Sequence, residues 1–295
     1  MADQPRSCAV LRSSELTVEI DAHGAQLTTI KDRAGRDLLW DGNPAVWSGR
    51  APLLFPIVGV LVDGSYRYGS KTYRLPRHGF ARDRTFSIEE TTSSTATLIL
   101  KADEASLLVY PFRFELAVRF ELVGPTLSVT TSIRNKGNAD MPASFGYHPG
   151  LRWPLPFGQA RTSHFIEFES EETAPIRRID SAGLLMPQRQ PTPVSRRRLT
   201  LDDALFQDDV LIFDQIQSRS VMYGSDDGPR IQVSFPDAPY LGIWTKPGAH
   251  FICIEPWHGV TDCQGFSGDF TGKAGVFVLR SGGALETTMA ITLVT

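Results

Sequence analysis

Two residues whose neighbours hold them in fixed directions stand out as possible proton carriers. His148 closes the run Ser144-Phe-Gly-Tyr-His-Pro149, and the proline that follows restricts it to extended backbone, which fixes the direction of its imidazole. Alternation sets Ser144, Gly146 and His148 on one face, where the small side chains leave open space beside the ring. Glu255 sits in His250-Phe-Ile-Cys-Ile-Glu-Pro-Trp-His258, also directly before a proline, and shares a face with Phe251 and Cys253. A carboxylate in such apolar company is costly unless it is hydrogen-bonded or used. Burial also raises its basicity toward what proton abstraction near neutral pH requires. An imidazole and a basic carboxylate are the components of general acid and base catalysis; His258 is balanced between the rim of such a site and the site itself.

A third cluster, Leu75-Pro-Arg-His-Gly-Phe-Ala-Arg-Asp83, packs two arginines and His78 around Gly79, whose freedom of backbone lets the chain approach whatever His78 touches. Arg50 opens the Pro-punctuated run Arg50-Ala-Pro-Leu-Leu-Phe-Pro56 and is expected to point its guanidinium into the same space. Nucleophile-elbow, phosphate-loop and metal-ligand spacings are all missing. Three cysteines, Cys8, Cys253 and Cys263, form no CxxC pair, so free thiols and no metal site are expected.

The elements that must position these groups are strands. In Phe112–Leu122 the residues Phe112, Phe114, Leu116, Val118, Phe120 and Leu122 share one face, with Arg113, Glu115, Arg119 and Glu121 on the other, the pattern of a strand with one face in a core. Val123-Gly-Pro125 then reads as a hairpin turn into a strand over Thr126–Ile133. Shorter strands are expected at 16–20, 96–100, 163–168, 210–213, 230–235, 240–244, 250–255 and 287–294. Helical periodicity is nearly absent, and 25 Gly and 20 Pro spread along the chain leave room for no more than a single turn at Asp202–Phe206. The expected fold is all-β, a large antiparallel β-sandwich, in one domain over residues 1–295.

With 30 basic and 33 acidic side chains the net charge is −3, which excludes an electrostatic nucleic-acid binder. The absence of an apolar run long enough to span a membrane, and the polar start Met1–Arg6, lead to the expectation of a cytoplasmic protein with no membrane partner.

Four stretches in order, Pro52-Leu-Leu-Phe-Pro-Ile-Val-Gly59, Arg77-His-Gly-Phe-Ala-Arg82, Phe145-Gly-Tyr-His-Pro149 and Ile254-Glu-Pro-Trp-His-Gly259, resemble the aldose 1-epimerases, the galactose mutarotase-like proteins. The resemblance implies a β-supersandwich, no cofactor and a small-molecule sugar substrate. It makes His148 the general acid and Glu255 the general base, with Arg50 and His78 contacting the sugar, and its sugar-binding aspartate falls at Asp208 or Asp209, Asp209 being favoured. Tyr147, Trp153, Trp257 and Phe80 are available to stack on a pyranose. Two other functions fit the same motifs. One is a hexose-6-phosphate 1-epimerase, with Arg77, Arg82, Arg84 and Arg152 available for the phosphate. The other is a carbohydrate-binding protein without catalysis, for which a matched acid and base would be superfluous.

Overall fold

The computed structural model describes residues 8–295; the polar stretch Met1–Arg6 lies outside the described residues. Alternation builds the long strands as expected. In Phe114–Val123, Phe114, Leu116, Val118, Phe120 and Leu122 are buried while their neighbours are half-buried or exposed. Each such side chain contributes about 1.5–3 kcal/mol by leaving water. Val123 pairs with Thr126, so Gly124 and Pro125 form a two-residue hairpin, and Gly124 takes the left-handed φ of 54° that such turns require.

Nine antiparallel strands form the larger sheet, in the spatial order Arg198–Thr200, Phe165–Phe168, Ser220–Gly224, Arg230–Ser234, Ala284–Val294, Thr126–Asn135, Phe114–Val123, Thr95–Lys101 and Ser87–Thr91. A second sheet runs Leu211–Phe213, Tyr240–Trp244, Phe251–His258, Phe145–Tyr147 and Leu53–Leu54, with Gly150–Arg152 also paired to Phe251–His258. Cys8–Arg12, Leu16–Asp21 and Gln26–Asp32 make a third. The main core holds residues of all three, among them Ile252, Ile254, Val129, Ile291, Val18 and Ile20.

Tyr147 shows how the sheets lock together. Its hydroxyl lies 2.9 Å from Val129 O and 3.0 Å from Thr287 O, both in the nine-stranded sheet, and 2.9 Å from Thr131 Oγ1. A side chain anchored toward the large sheet turns its neighbour His148 to the opposite face.

Some boundaries differ from the sequence expectation. Phe112 precedes its strand, and Arg161–Ser163 is a 3-10 turn that delays the next strand to Phe165. The expected turn is a 3-10 helix over Asp203–Phe206, capped by Asp202. An unforeseen α-helix, Glu104–Val109, is held by a reciprocal cap: Asp103 Oδ1 accepts Ser106 N–H at 2.7 Å and Ser106 Oγ accepts Asp103 N–H at 2.9 Å. At six residues it is too short to leave a periodic signature. Among the described residues no helix is long and apolar enough to cross a membrane.

Candidate active site

The register of one strand pair assembles the centre of the site. Gly146 stands opposite Trp257 and Gly150 opposite Cys253. Both pairs keep the same antiparallel register, so His148, midway between Gly146 and Gly150, faces Glu255, midway between Cys253 and Trp257. His148 Nε2 lies 3.2 Å from Glu255 Oε2. Both residues are buried, at 7% and 2% exposure, and both line a cavity of about 290 Å³, close to the small end of the ~300–1,000 Å³ range of small-molecule sites.

His78 reaches the same cavity from the loop between the strand Lys71–Arg74 and the 3-10 turn Ala81–Asp83. Its backbone takes a left-handed φ of 66°. Gly79 follows at φ 73°, where an added Cβ would lie 2.2 Å from Phe55 O, so only glycine fits. His78 Nδ1 accepts the Gly59 N–H at 3.1 Å. Because burial holds this imidazole well below its ordinary range, with the His148 ring next in effect, the neutral ring carries its proton on Nε2 and can donate it. The rings of His78 and His148 stand edge to face, 5.8 Å apart.

Burial also splits the central pair. It pushes the Glu255 carboxyl well above the usual carboxylate range, with Asp209 adding to the rise and the Trp257 indole opposing it. It lowers His148 to about 3, aided by the Arg82 guanidinium. Burial thus favours the protonated carboxyl and the neutral imidazole, so a proton shared by the pair rests on Glu255. Having one proton and two sites 3.2 Å apart, the pair can take a proton at one oxygen of a ligand while giving one at another.

Asp209 lines this cavity, whereas Asp208 lines only an adjoining outer one, which separates the two aspartates left open by the sequence. The Asp209 turn, at φ 63°, is held by Arg178, whose guanidinium donates to Asp209 O at 3.0 Å and Leu205 O at 2.8 Å. Arg77 and Arg82 also line the cavity. Arg84 and Arg152 instead approach Asp103 and Asp41, at 3.4 and 3.9 Å.

Arg50 does not line this cavity, contrary to expectation. Its guanidinium donates to Thr28 O at 2.6 Å, because Gln26–Asp32 is the edge of its sheet and leaves carbonyls without ladder partners. His258 bonds Thr287 Oγ1 at 3.0 Å and has a structural place. Of the four aromatic residues considered for stacking, Trp257 lines the cavity, while Tyr147, Trp153 and Phe80 belong to the core.

Trp257 lies across its sheet because glycines leave room on both sides: Gly146 stands opposite it on one neighbouring strand, and on the other Gly242 lies diagonal to it, two residues from its partner Tyr240. A Cβ on Gly242 would come within 2.4 Å of the indole, and one on Gly146 within 2.5 Å. Sequence reasoning missed two aromatic walls, Trp47 and Trp244, whose ring centroids lie 5.1 and 5.8 Å from that of His148. The available signal was that Trp244 ends a strand whose neighbour carries Cys253 and Glu255.

A sheet-backed cavity lined by an imidazole, a buried carboxylate, polar rim groups and indoles fits a sugar-processing isomerase. The chain belongs to the aldose 1-epimerase family, whose model matches residues 7–272. It is 34% identical over 261 residues to the chromosomally encoded LacX protein of Lactococcus lactis, covering 85% of this chain and 87% of that protein. A galactose mutarotase related enzyme from Lactobacillus acidophilus superposes with a TM-score of 0.92 at 31% identity, covering 98% of each chain. A galactose mutarotase-like protein from Lactobacillus casei superposes with a TM-score of 0.91 at 26% identity, covering 97% of this chain and 100% of that one.

Proposed function

We propose that the protein interconverts the α and β anomers of a free aldohexose, with Glu255 as general base and His148 as general acid. The observation that carries this reading is the 3.2 Å approach of His148 Nε2 to Glu255 Oε2 in the wall of a sugar-sized cavity. Transfer of the shared proton to His148 gives carboxylate and imidazolium. Glu255 then takes the anomeric hydroxyl proton as His148 protonates the ring oxygen, and the C1 to ring-oxygen bond breaks. Rotation about C1–C2 presents the other carbonyl face, and the reverse transfers close the ring. Each such group contributes on the order of 10²–10⁴-fold. His78, through its Nε2–H, and Asp209 hold sugar hydroxyls, and the indoles of Trp47, Trp244 and Trp257 exclude water.

A hexose 6-phosphate is the second reading. Arg77 and Arg82 line the cavity, and among the described residues the Arg82 Nε has only the exposed Asp83 as ion-pair partner, at 3.9 Å. A relative from Cenchrus ciliaris, provisionally named a glucose-6-phosphate 1-epimerase, is 32% identical over 149 residues, 44% of this chain and 42% of that protein. Saturation-transfer NMR of anomer exchange in glucose, galactose and glucose 6-phosphate, with and without protein, tests both. Acceleration of the free sugars is expected. Acceleration of the phosphorylated sugar alone would establish the second reading, and binding without acceleration of any sugar would leave a carbohydrate-binding protein.

A further inference from the structure

Cys253 is a buried group that the acid and base chemistry leaves unused. It lies two residues before Glu255 on the strand Phe251–His258, so alternation turns both side chains to one face, and its cross-strand partner Gly150 has no side chain to intervene. A ring nitrogen of His148, Sγ of Cys253 and a carboxylate oxygen of Glu255 all lie within 4.8 Å of one another. A tetrahedral zinc ion takes ligands at ~2.0–2.1 Å from nitrogen, ~2.3 Å from sulfur and ~2.0–2.2 Å from oxygen, which puts the ligand atoms about 3.3–3.6 Å apart. The 3.2 Å separation of His148 Nε2 from Glu255 Oε2 is already close to one edge of that tetrahedron. His148 and Glu255 line the cavity, so an ion entering it meets two of the three ligands directly, and the fully buried Cys253 thiol completes the set beside them.

We propose that His148, Cys253 and Glu255 form a reversible inhibitory site for a zinc-type divalent cation. One imidazole, one thiolate and one carboxylate suit Zn²⁺ or Co²⁺ and do not suit Mg²⁺ or Ca²⁺, which prefer oxygen ligands. The cation takes Cys253 as its thiolate, so binding displaces the thiol proton. The same lone pairs that would take and give the sugar's protons are then on the metal, and occupancy excludes catalysis. Metal binding rests on the geometry alone; the inhibition rests also on the proposed acid and base roles.

The test is titration of the metal-free full chain with CoCl₂, followed by absorbance. One equivalent should produce the near-ultraviolet sulfur-to-cobalt charge-transfer band together with the visible bands of tetrahedral cobalt, and ZnCl₂ should displace both. Cys253→Ser should lose the charge-transfer band, and a Cys8→Ser/Cys263→Ser double variant should keep it. In the wild type, zinc should slow anomer exchange over the same concentration range, with recovery on adding EDTA. In Cys253→Ser, at least tenfold more zinc should be needed, relative to that variant's own zinc-free rate. Absence of the band at millimolar cobalt, its survival in Cys253→Ser, or its loss in the double variant would each overturn the site. A normal band with exchange unaffected by zinc would overturn the inhibition and count against the acid and base roles, while the metal site itself would stand.

Discussion

His148 and Glu255 face each other because Gly146–Trp257 and Gly150–Cys253 are pairs of one continuous register, with the prolines that follow both residues holding the backbone extended between them. Two groups so placed, 3.2 Å apart and almost fully buried, would under the proposed mechanism act on one ring-opening step rather than as independent contributors.

Glu255→Gln keeps the shape and hydrogen-bonding reach of the side chain and removes its ability to accept a proton. Anomer exchange should fall by roughly a hundredfold or more, while sugar affinity changes by less than about tenfold. His148→Asn should behave alike, and the double variant should be little worse than either single one. Exchange in Glu255→Gln close to the wild-type rate, measured above the spontaneous background, would refute the mechanism.

The proton shared by the pair also shapes stability. Unfolded, the two groups titrate near 4.5 and 6.5; folded, His148 falls to about 3 and Glu255 rises well above 4.5. Between about 3 and 4.5 the unfolded pair binds more protons, so its contribution to stability rises with pH. Above 4.5 the unfolded Glu255 loses its proton before the folded one does, so the Glu255 contribution to stability falls with pH up to its folded value, by at most about 1.4 kcal/mol per pH unit, while the His148 contribution goes on rising to 6.5. Glu255→Gln removes that fall. Its melting temperature relative to wild type should therefore climb as pH increases above about 4.5, and thermal unfolding across pH 4–9 measures this. A difference independent of pH would show that Glu255 is not the group whose burial raises its proton affinity.

Arg82→Gln separates the two substrate readings. If free aldohexoses are the substrates, KM should change by similar factors for glucose and glucose 6-phosphate, within about threefold of each other. A rise of tenfold or more confined to the phosphorylated sugar would make Arg82 a phosphate ligand, since a guanidinium–phosphate bond is charge-assisted and has no counterpart in the free sugar.

Gly242→Ala should disturb the site without touching any polar group. Its Cβ would meet the Trp257 ring at 2.4 Å, and overpacking of this kind costs about 1–3 kcal/mol. Urea denaturation should show that loss, together with reduced kcat/KM as the indole shifts from the cavity wall. Unchanged stability and activity would mean that Trp257 moves aside freely.

Period-two alternation made the long strands legible in sequence, because a strand buried on one face must alternate, and Phe114–Val123 does so without exception. The same alternation, with Pro149 and Pro256 behind it, singled out His148 and Glu255 and set Glu255 on the face of Phe251 and Cys253. What distant segments do to each other was not legible. Whether Arg50 enters the cavity depended on an unpaired carbonyl of the Gln26–Asp32 edge, and the choice between Asp208 and Asp209 depended on a left-handed turn tied down by Arg178. Trp47 and Trp244 become cavity walls, and Cys253 joins His148 and Glu255, only through pairing and packing of separate strands. Local sequence dictates backbone conformation and the side to which a residue turns; which groups then meet is decided by register and sheet packing, since those bring together residues far apart in the chain.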